Sequence, residues 1–89
     1  MPVLIVPSSL RRYSNQQSRI TLPARTIEEA LELFAEGSSE LRNLLFSGKN
    51  LRKFVVVCKN GQDVRLLDGL STSVSGTDEL QIVASVAGG

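Results

Sequence analysis

The chain has 89 residues, 42% of them hydrophobic and 21% charged, which is typical of one globular domain and excludes a disordered or collagen-like segment. It contains no apolar run of membrane-spanning length and no secretory leader, so we expect a soluble, cytoplasmic protein. Its one cysteine, Cys58, cannot form an internal disulfide, and the absence of histidine removes the commonest general base and metal ligand. We therefore predict a protein that is not an enzyme and holds neither a metal nor another cofactor.

Charge is segregated along the chain although the formal net charge is only +1. Residues 26–40 carry five glutamates and no lysine or arginine, whereas residues 42–65 carry six lysines and arginines against Asp63 alone. Such asymmetry can steer a charged partner, although solvated helix and loop faces would produce the same pattern. Because exposed aromatic residues are not interleaved with the basic ones, we expect no nucleic-acid partner.

The predicted elements begin with two strands. Residues 3–6 form an apolar run that stops at Pro7, which indicates a strand buried in the interior of a sheet. Residues 18–22 alternate polar and apolar side chains and are bounded by Pro23, which predicts a second strand.

A helix is predicted next. Thr26 followed by Glu29 matches a capping box, and apolar residues then recur at helical spacing. We predict a helix over residues 26–36 that Gly37 ends. Three leucines within residues 41–45 indicate a short helical turn that adds to the core.

Three further strands complete the predicted order. Residues 54–58 are β-branched and apolar, and the following Asn60-Gly61 dipeptide favours a tight hairpin turn. A short fourth strand is therefore expected over residues 63–66. Residues 68–78 are rich in Gly, Ser and Thr and predict a loop, after which residues 80–83 begin the last strand.

This β-β-α-β-β-β order predicts an α+β fold in which one main helix crosses one face of a mixed sheet of four to five strands. The predicted core joins the helix residues Ile27, Leu31 and Phe34 to the strand residues Leu4, Val6, Ile20, Leu22, Leu80 and Ile82.

The end of the chain carries the feature that asks for a chemical interpretation. We divide the chain into a domain, residues 1–84, and a flexible tail, residues 85–89, that ends in two glycines. Because its two terminal glycines lack Cβ atoms, the tail is slim enough for Val86, Ala87 and Gly88 to thread a narrow channel. The Gly89 carboxylate, with a pKa of about 3.5, is a poor electrophile and must first be activated, most simply as an acyl-adenylate. A frayed chain end is the alternative.

Several short segments resemble the ThiS/MoaD family of ubiquitin-like sulfur carriers, whose fold is the β-grasp. They are residues 57–61, residues 76–80 and the terminal Gly-Gly, in the same order of elements. Five further matches resemble the members of that family that serve cysteine biosynthesis, and they lie in residues 6–11, 54–55, 63–65, 69–70 and 86–89. Only the Gly-Gly end is required by the family's chemistry.

The resemblance implies that an E1-like, ATP-dependent enzyme adenylates Gly89 and that the product becomes a C-terminal thiocarboxylate. It further implies a PLP-dependent cysteine synthase that receives the sulfur and a metal-dependent protease that releases the product. Molybdopterin or thiazole synthase, for molybdopterin or thiamine precursors, remains an alternative acceptor. Two other functions of the chain are also open. It could be a ubiquitin-like modifier that forms isopeptide bonds through Gly89, or a plain interaction domain whose Gly-Gly is incidental.

The third predicted strand, residues 54–58, allows two orientations. If the flanking Lys53 and Lys59 point outward, Val55 and Val57 point outward as well. The likeness to the family instead places Val55 and Val57 inside. We adopt the second, with Val55 and Val57 facing the core, which leaves Phe54, Val56 and Cys58 on the opposite face. Cys58 is then expected to serve as a small hydrophobic residue rather than as a reactive thiol.

A docking surface follows from the same alternation. If the core residues of the first and last strands face the helix, Ile5 and Val83 point to the opposite face of the sheet. We expect Ile5, Val56 and Val83 to form an aliphatic partner-docking patch beside the tail. Partly shielded sheet edges are the alternative interpretation of these residues.

Overall fold

The computed structural model describes residues 1–84, which form a five-stranded mixed sheet with a helix packed against one face. In spatial order the strands are β2 (Arg19–Thr21), β1 (Val3–Ile5), β7 (Glu79–Ala84), β5 (Val55–Lys59) and β6 (Gln62–Asp63). The central strand, β7, runs parallel to β1 and antiparallel to β5. This arrangement confirms the predicted α+β, β-grasp fold with four to five strands.

The main helix, α1, spans Ile27–Phe34, slightly less than the predicted range. Thr26 caps it, because its Oγ1 accepts the backbone N–H of Glu29 at 3.1 Å. The Glu29 carboxylate in turn accepts the backbone N–H of Arg25 at 2.8 Å, so the capping pair predicted from the sequence is present. Gly37 follows the helix with a φ of 87°, a left-handed conformation that favours glycine.

The predicted helical turn after α1 is a longer element than expected. The second helix, α2, spans Ser39–Leu45, and the Ser38 hydroxyl caps it by accepting the backbone N–H of Leu41 at 3.1 Å. Two short strands, β3 (Phe46–Ser47) and β4 (Asn50–Leu51), then form a hairpin outside the main sheet.

The strand predicted over residues 63–66 is wrong in its extent. Strand β6 covers only Gln62–Asp63, and Val64–Leu66 form a 3₁₀ turn. The cause is local, because the Asp63 carboxylate accepts the backbone N–H of Arg65 at 2.9 Å and thereby caps that turn.

One further 3₁₀ helix lies between the first two strands, and another lies within the predicted loop of residues 68–78. The first spans Ser8–Tyr13 and the second spans Gly69–Ser71. Both add apolar side chains to the packing, since Leu10 is buried and Leu70 packs against the core.

The core lies between the helices and the inner face of the sheet. Val55 and Val57 are only 2% and 1% exposed, which confirms the orientation adopted for that strand. Of the predicted core, Ile20 and Leu22 are half-buried at its edge. The buried members are Leu4, Val6, Ile27, Leu31, Phe34, Leu80 and Ile82. Among residues 1–84, no helix has the length and apolar character needed to cross a membrane.

Candidate functional site: tail exit and docking surface

The point at which the tail leaves the domain is fixed by β7. Strand β1 accompanies β7 only as far as Ile5, opposite Gln81, whereas β5 continues to pair with it as far as Val55, opposite Ala84. The tail therefore departs from the middle of the sheet, beside the start of β5. The predicted tail and covalent-site residues, Val86, Ala87, Gly88 and Gly89, lie outside the described residues.

The three predicted docking residues share the outer face of the sheet. Val56 and Val83 are directly opposite each other on β5 and β7, while Ile5 lies opposite Gln81 on the β1 side. Val83 is 47% exposed, and Ile5 and Val56 are half-buried. The placement agrees with the predicted patch, and its role in docking stays a prediction.

Phe54, which strand alternation places outside, belongs to the same surface, and so does Gln81, which was not singled out from the sequence. Gln81 separates Ile5 from Cys58, because it pairs with both residues. Phe54, 45% exposed, precedes Val55 and extends the apolar surface past the last residue of β7. Strand alternation could have placed Gln81 on this face, but a search for apolar patches overlooks a polar residue.

The opposite end of β7 is held by a polar network. Asp78 accepts the side-chain amide of Asn60 at 2.9 Å and the backbone N–H of Ser75 at 2.7 Å, and the Lys59 ammonium lies 3.7 Å from its carboxylate. The amide of Asn60, followed by the N–H of Ser75, holds the pKa of Asp78 below its ordinary value of 3.8. These contacts fix where β7 begins and give the Asp78 carboxylate a structural role.

A groove adjoins the tail exit. It has a volume of about 420 Å³ and is lined by Ser47, Asn50, Leu51, Arg52, Lys53 and Phe54. The backbone turns here from the hairpin into β5, since the N–H of Val55 donates to the carbonyl of Arg52 at 3.0 Å. Arg52 is anchored through its Nε, which donates to the carbonyl of Asn43 at 2.5 Å.

A group of side chains that could bind a metal is not brought together within residues 1–84. Within residues 1–84 no three Cys, Asp or Glu side chains are placed to hold a metal ion. Cys58 is half-buried on the outer face, opposite Asp63 on β6. The described site is a partly apolar surface beside the tail exit.

Comparison with known proteins identifies the family. The ThiS family model matches residues 4–89, which includes the terminal Gly-Gly. This chain belongs to the ThiS family. The family match confirms the resemblance noted from the sequence, and the match extends over the tail as well as the folded domain.

Curated relatives of this ThiS-family chain are named as sulfur carriers. A putative sulfur carrier protein of Archaeoglobus fulgidus is 36% identical over 85 residues, covering 80% of this chain and 97% of the relative. The sulfur carrier protein CysO of Mycobacterium tuberculosis is 31% identical over 87 residues, covering 94% of each. The chain is accordingly a ThiS-family protein of the sulfur-carrier type.

Solved structures share the fold of this ThiS-family chain throughout. A chain in the crystal structure of the Amycolatopsis orientalis BexX/CysO complex superposes with a TM-score of 0.88 at 26% identity, covering both chains completely. Mycobacterium tuberculosis CysO gives a TM-score of 0.84 at 22% identity and covers 97% of this chain and 100% of that one. Small archaeal modifier protein 1 of Methanosarcina acetivorans gives 0.83 at 21% identity, with coverage of 99% and 95%. The last two likenesses establish the β-grasp fold alone.

Proposed function

We propose that this ThiS-family chain is a non-enzymatic sulfur carrier whose Gly89 carboxyl becomes a thiocarboxylate that donates sulfur in cysteine biosynthesis. The observation that carries the proposal is the ThiS family match, which continues through residue 89 and so includes the Gly-Gly end. The choice of cysteine biosynthesis is supported by the 31% identity to CysO over 94% of both chains.

The proposed activation has two chemical steps. An oxygen of the Gly89 carboxylate attacks the α-phosphorus of ATP on an E1-like enzyme, and pyrophosphate leaves. Hydrosulfide then attacks the acyl carbon, the bond between that carbon and the phosphate oxygen breaks, and AMP leaves with the electron pair. The adenylate is needed because a carboxylate with a pKa of about 3.5 is anionic at neutral pH and resists nucleophiles.

In this scheme the carrier presents the reacting atom and its partners supply the catalytic groups. The chain contains no histidine, so the usual activated nucleophile pairs must come from elsewhere. The proposed partners are the E1-like activating enzyme, a PLP-dependent cysteine synthase and a metal-dependent protease that releases the product. The crystallised BexX/CysO complex supports partnership as a mode of action for proteins of this kind.

The docking role is assigned to the outer face of the sheet. Val83 lies one residue before Ala84, the last residue before the tail, and Val56 lies opposite Val83. A partner that receives the tail therefore comes close to both side chains. Ile5 extends the surface on the other side of Gln81. Covering exposed aliphatic side chains contributes about 25 cal/mol per Å² of apolar area removed from water, which would stabilise the complex.

The experiment that tests the proposal is a mass measurement on the full chain. The chain is incubated with the E1-like enzyme encoded in the same genome, ATP and sulfide, and we expect one oxygen to be replaced by one sulfur. A chain that lacks Gly88 and Gly89 serves as the control and should keep its mass. An unchanged mass for the full chain would overturn the proposal.

The acceptor is tested in a second step. The thiocarboxylate form is mixed with the cysteine synthase of the same genome and its substrate, and a carrier–cysteine adduct is expected. Transfer of sulfur to a molybdopterin or thiazole synthase instead would assign the carrier to that synthase's pathway. Conjugates on lysine side chains in place of a thiocarboxylate would identify a protein modifier.

A further inference from the structure

The second half of the hairpin and the residues that join it to β5 form a second surface next to the tail exit. We call it the basic rim and define it as Lys49, Leu51, Arg52, Lys53 and Phe54. Lys53 is two residues before Val55, the residue opposite Ala84, so its backbone lies within about 7 Å of that pair along the chain. Any protein that receives the tail must therefore come close to this rim.

The charges of the basic rim are uncompensated within the described domain. Of the seven lysines and arginines outside the rim, Arg11 and Arg25 are also without a carboxylate within 4 Å among residues 1–84. The other five each have one, namely Arg12, Arg19, Arg42, Lys59 and Arg65. Lys49, Arg52 and Lys53 have no such partner among residues 1–84. Three positive charges are thus concentrated within residues 49–53 of a chain whose net charge is only +1.

The geometry of the rim suits a protein surface. Arg52 is held in place by the bond from its Nε to the Asn43 carbonyl, and its two terminal nitrogens make no hydrogen bond within residues 1–84. A guanidinium fixed in this way loses little conformational freedom when it binds a carboxylate. Phe54 and the half-buried Leu51 provide apolar contact between the charges.

The rim is also continuous with the outer face of the sheet. Phe54 is exposed and Val56 is half-buried, while Val55 between them is buried, so Phe54 and Val56 lead from Val83 towards the rim. A single partner could cover both surfaces. An apolar centre bordered by charge is the usual anatomy of a specific interface.

We propose that the basic rim binds an acidic surface at the entrance to the active site of the enzyme that activates Gly89. The inference rests on the proposed function and adds the kind of surface that the activating enzyme presents. Charge complementarity at a rim speeds the encounter and selects the partner, while the apolar patch holds it.

The test compares two charge reversals of equal size in the full chain. Lys53→Glu alters the rim, whereas the control, Arg25→Glu, alters an exposed residue next to the Thr26–Ser73 bridge. The control site is near the Lys59 end of β5, since the Lys59 ammonium donates to the Ser73 carbonyl at 2.8 Å. Urea unfolding of both variants establishes that the fold is kept.

The measurement is ATP–pyrophosphate exchange by the E1-like enzyme as a function of carrier concentration. At about 0.05 M NaCl we expect Lys53→Glu to raise the KM for the carrier about fivefold with kcat unchanged, and Arg25→Glu to change neither. Lys53→Gln should have an intermediate effect. Added salt should raise the KM of the wild-type chain towards that of Lys53→Glu.

Three results would overturn the inference. Equal KM values for Lys53→Glu and Arg25→Glu would remove the rim from the interface and leave the proposed function standing. Self-association of the wild-type chain that Lys53→Glu abolishes would assign the rim to a second copy. Absence of exchange with the wild-type chain would overturn the proposed function and this inference together.

Discussion

Asn60 and Asp78 are joined by a hydrogen bond that ties the β5–β6 turn to the start of the central strand. The Asn60 side-chain amide donates to Asp78 at 2.9 Å, and its carbonyl oxygen accepts the backbone N–H of Glu79 at the same distance. Asn60 has a φ of 51°, a left-handed conformation that asparagine tolerates better than most residues. One side chain thus stabilises both the turn and the register of β7.

Replacement of Asp78 should therefore destabilise the domain. Asp78→Ala leaves the Asn60 amide and the Ser75 N–H without their acceptor, and we expect a loss of about 1 to 3 kcal/mol in the free energy of unfolding. The measurement is urea denaturation at pH 7. Asp68→Ala is the matched control, because the Asp68 carboxylate is exposed and makes no hydrogen bond or ion pair within residues 1–84. Equal losses in both variants would contradict the role assigned to Asp78.

The same contact predicts a dependence on pH. Because the pKa of Asp78 is lowered from 3.8 in the folded state, the unfolded chain takes up this proton first as the pH falls. Its stabilising contribution is complete above the unfolded value and is lost as the pH drops through the folded value. The difference in unfolding free energy between the wild type and Asp78→Asn should shrink between pH 7 and about pH 3. A difference that stays constant over that interval would count against the prediction.

Val83→Asp should weaken docking without unfolding the domain. Val83 is 47% exposed, so a carboxylate there remains solvated in the free chain, whereas it would be buried without a partner in a complex. We expect the KM for the carrier in ATP–pyrophosphate exchange to rise at least about tenfold, which corresponds to about 1.4 kcal/mol. Thr21→Asp is the control, because Thr21 is an exposed residue of β2. Unchanged activation by Val83→Asp would show that the patch of Ile5, Val56 and Val83 is wrongly assigned.

Removal of Gly88 and Gly89 should separate function from folding. The core lies within residues 1–84, so we expect the urea midpoint of the shortened chain to match that of the full chain. Sulfur loading and complementation of a strain that lacks the carrier should both disappear. Complementation by the shortened chain at the wild-type level would refute the assignment of the reacting carboxyl to Gly89.

Periodicity and turn chemistry were sufficient to predict most of the fold. The strand around Val57, the Asn60-Gly61 turn and the Thr26 cap each depend on short-range patterns, and the structure contains all three. The error at residues 63–66 arose because a side chain can compete with the strand ladder, as Asp63 does when it caps the turn at Arg65.

The candidate site was only partly predictable for a different reason. Strand alternation could place Val56 and Val83 on one face, but their direct pairing depends on the register between β5 and β7. The proximity of Lys53 to the tail exit depends on that register and on the turn after Leu51. Such relationships join segments about 30 residues apart in sequence, which local patterns do not specify.

The parallel alignment of β1 and β7 separates the two ends of the domain. Val3 lies opposite Glu79 and the Met1 nitrogen lies next to Gly76, so Met1 is close to the chain just before β7, while Ala84 is about 17 Å beyond Glu79 along that strand. An affinity tag, a dye or a fused protein at Met1 would be attached at the opposite end of β7 from Ala84, the last residue before the tail. Amino-terminal tethering should accordingly permit repeated charging and discharging of an immobilised carrier.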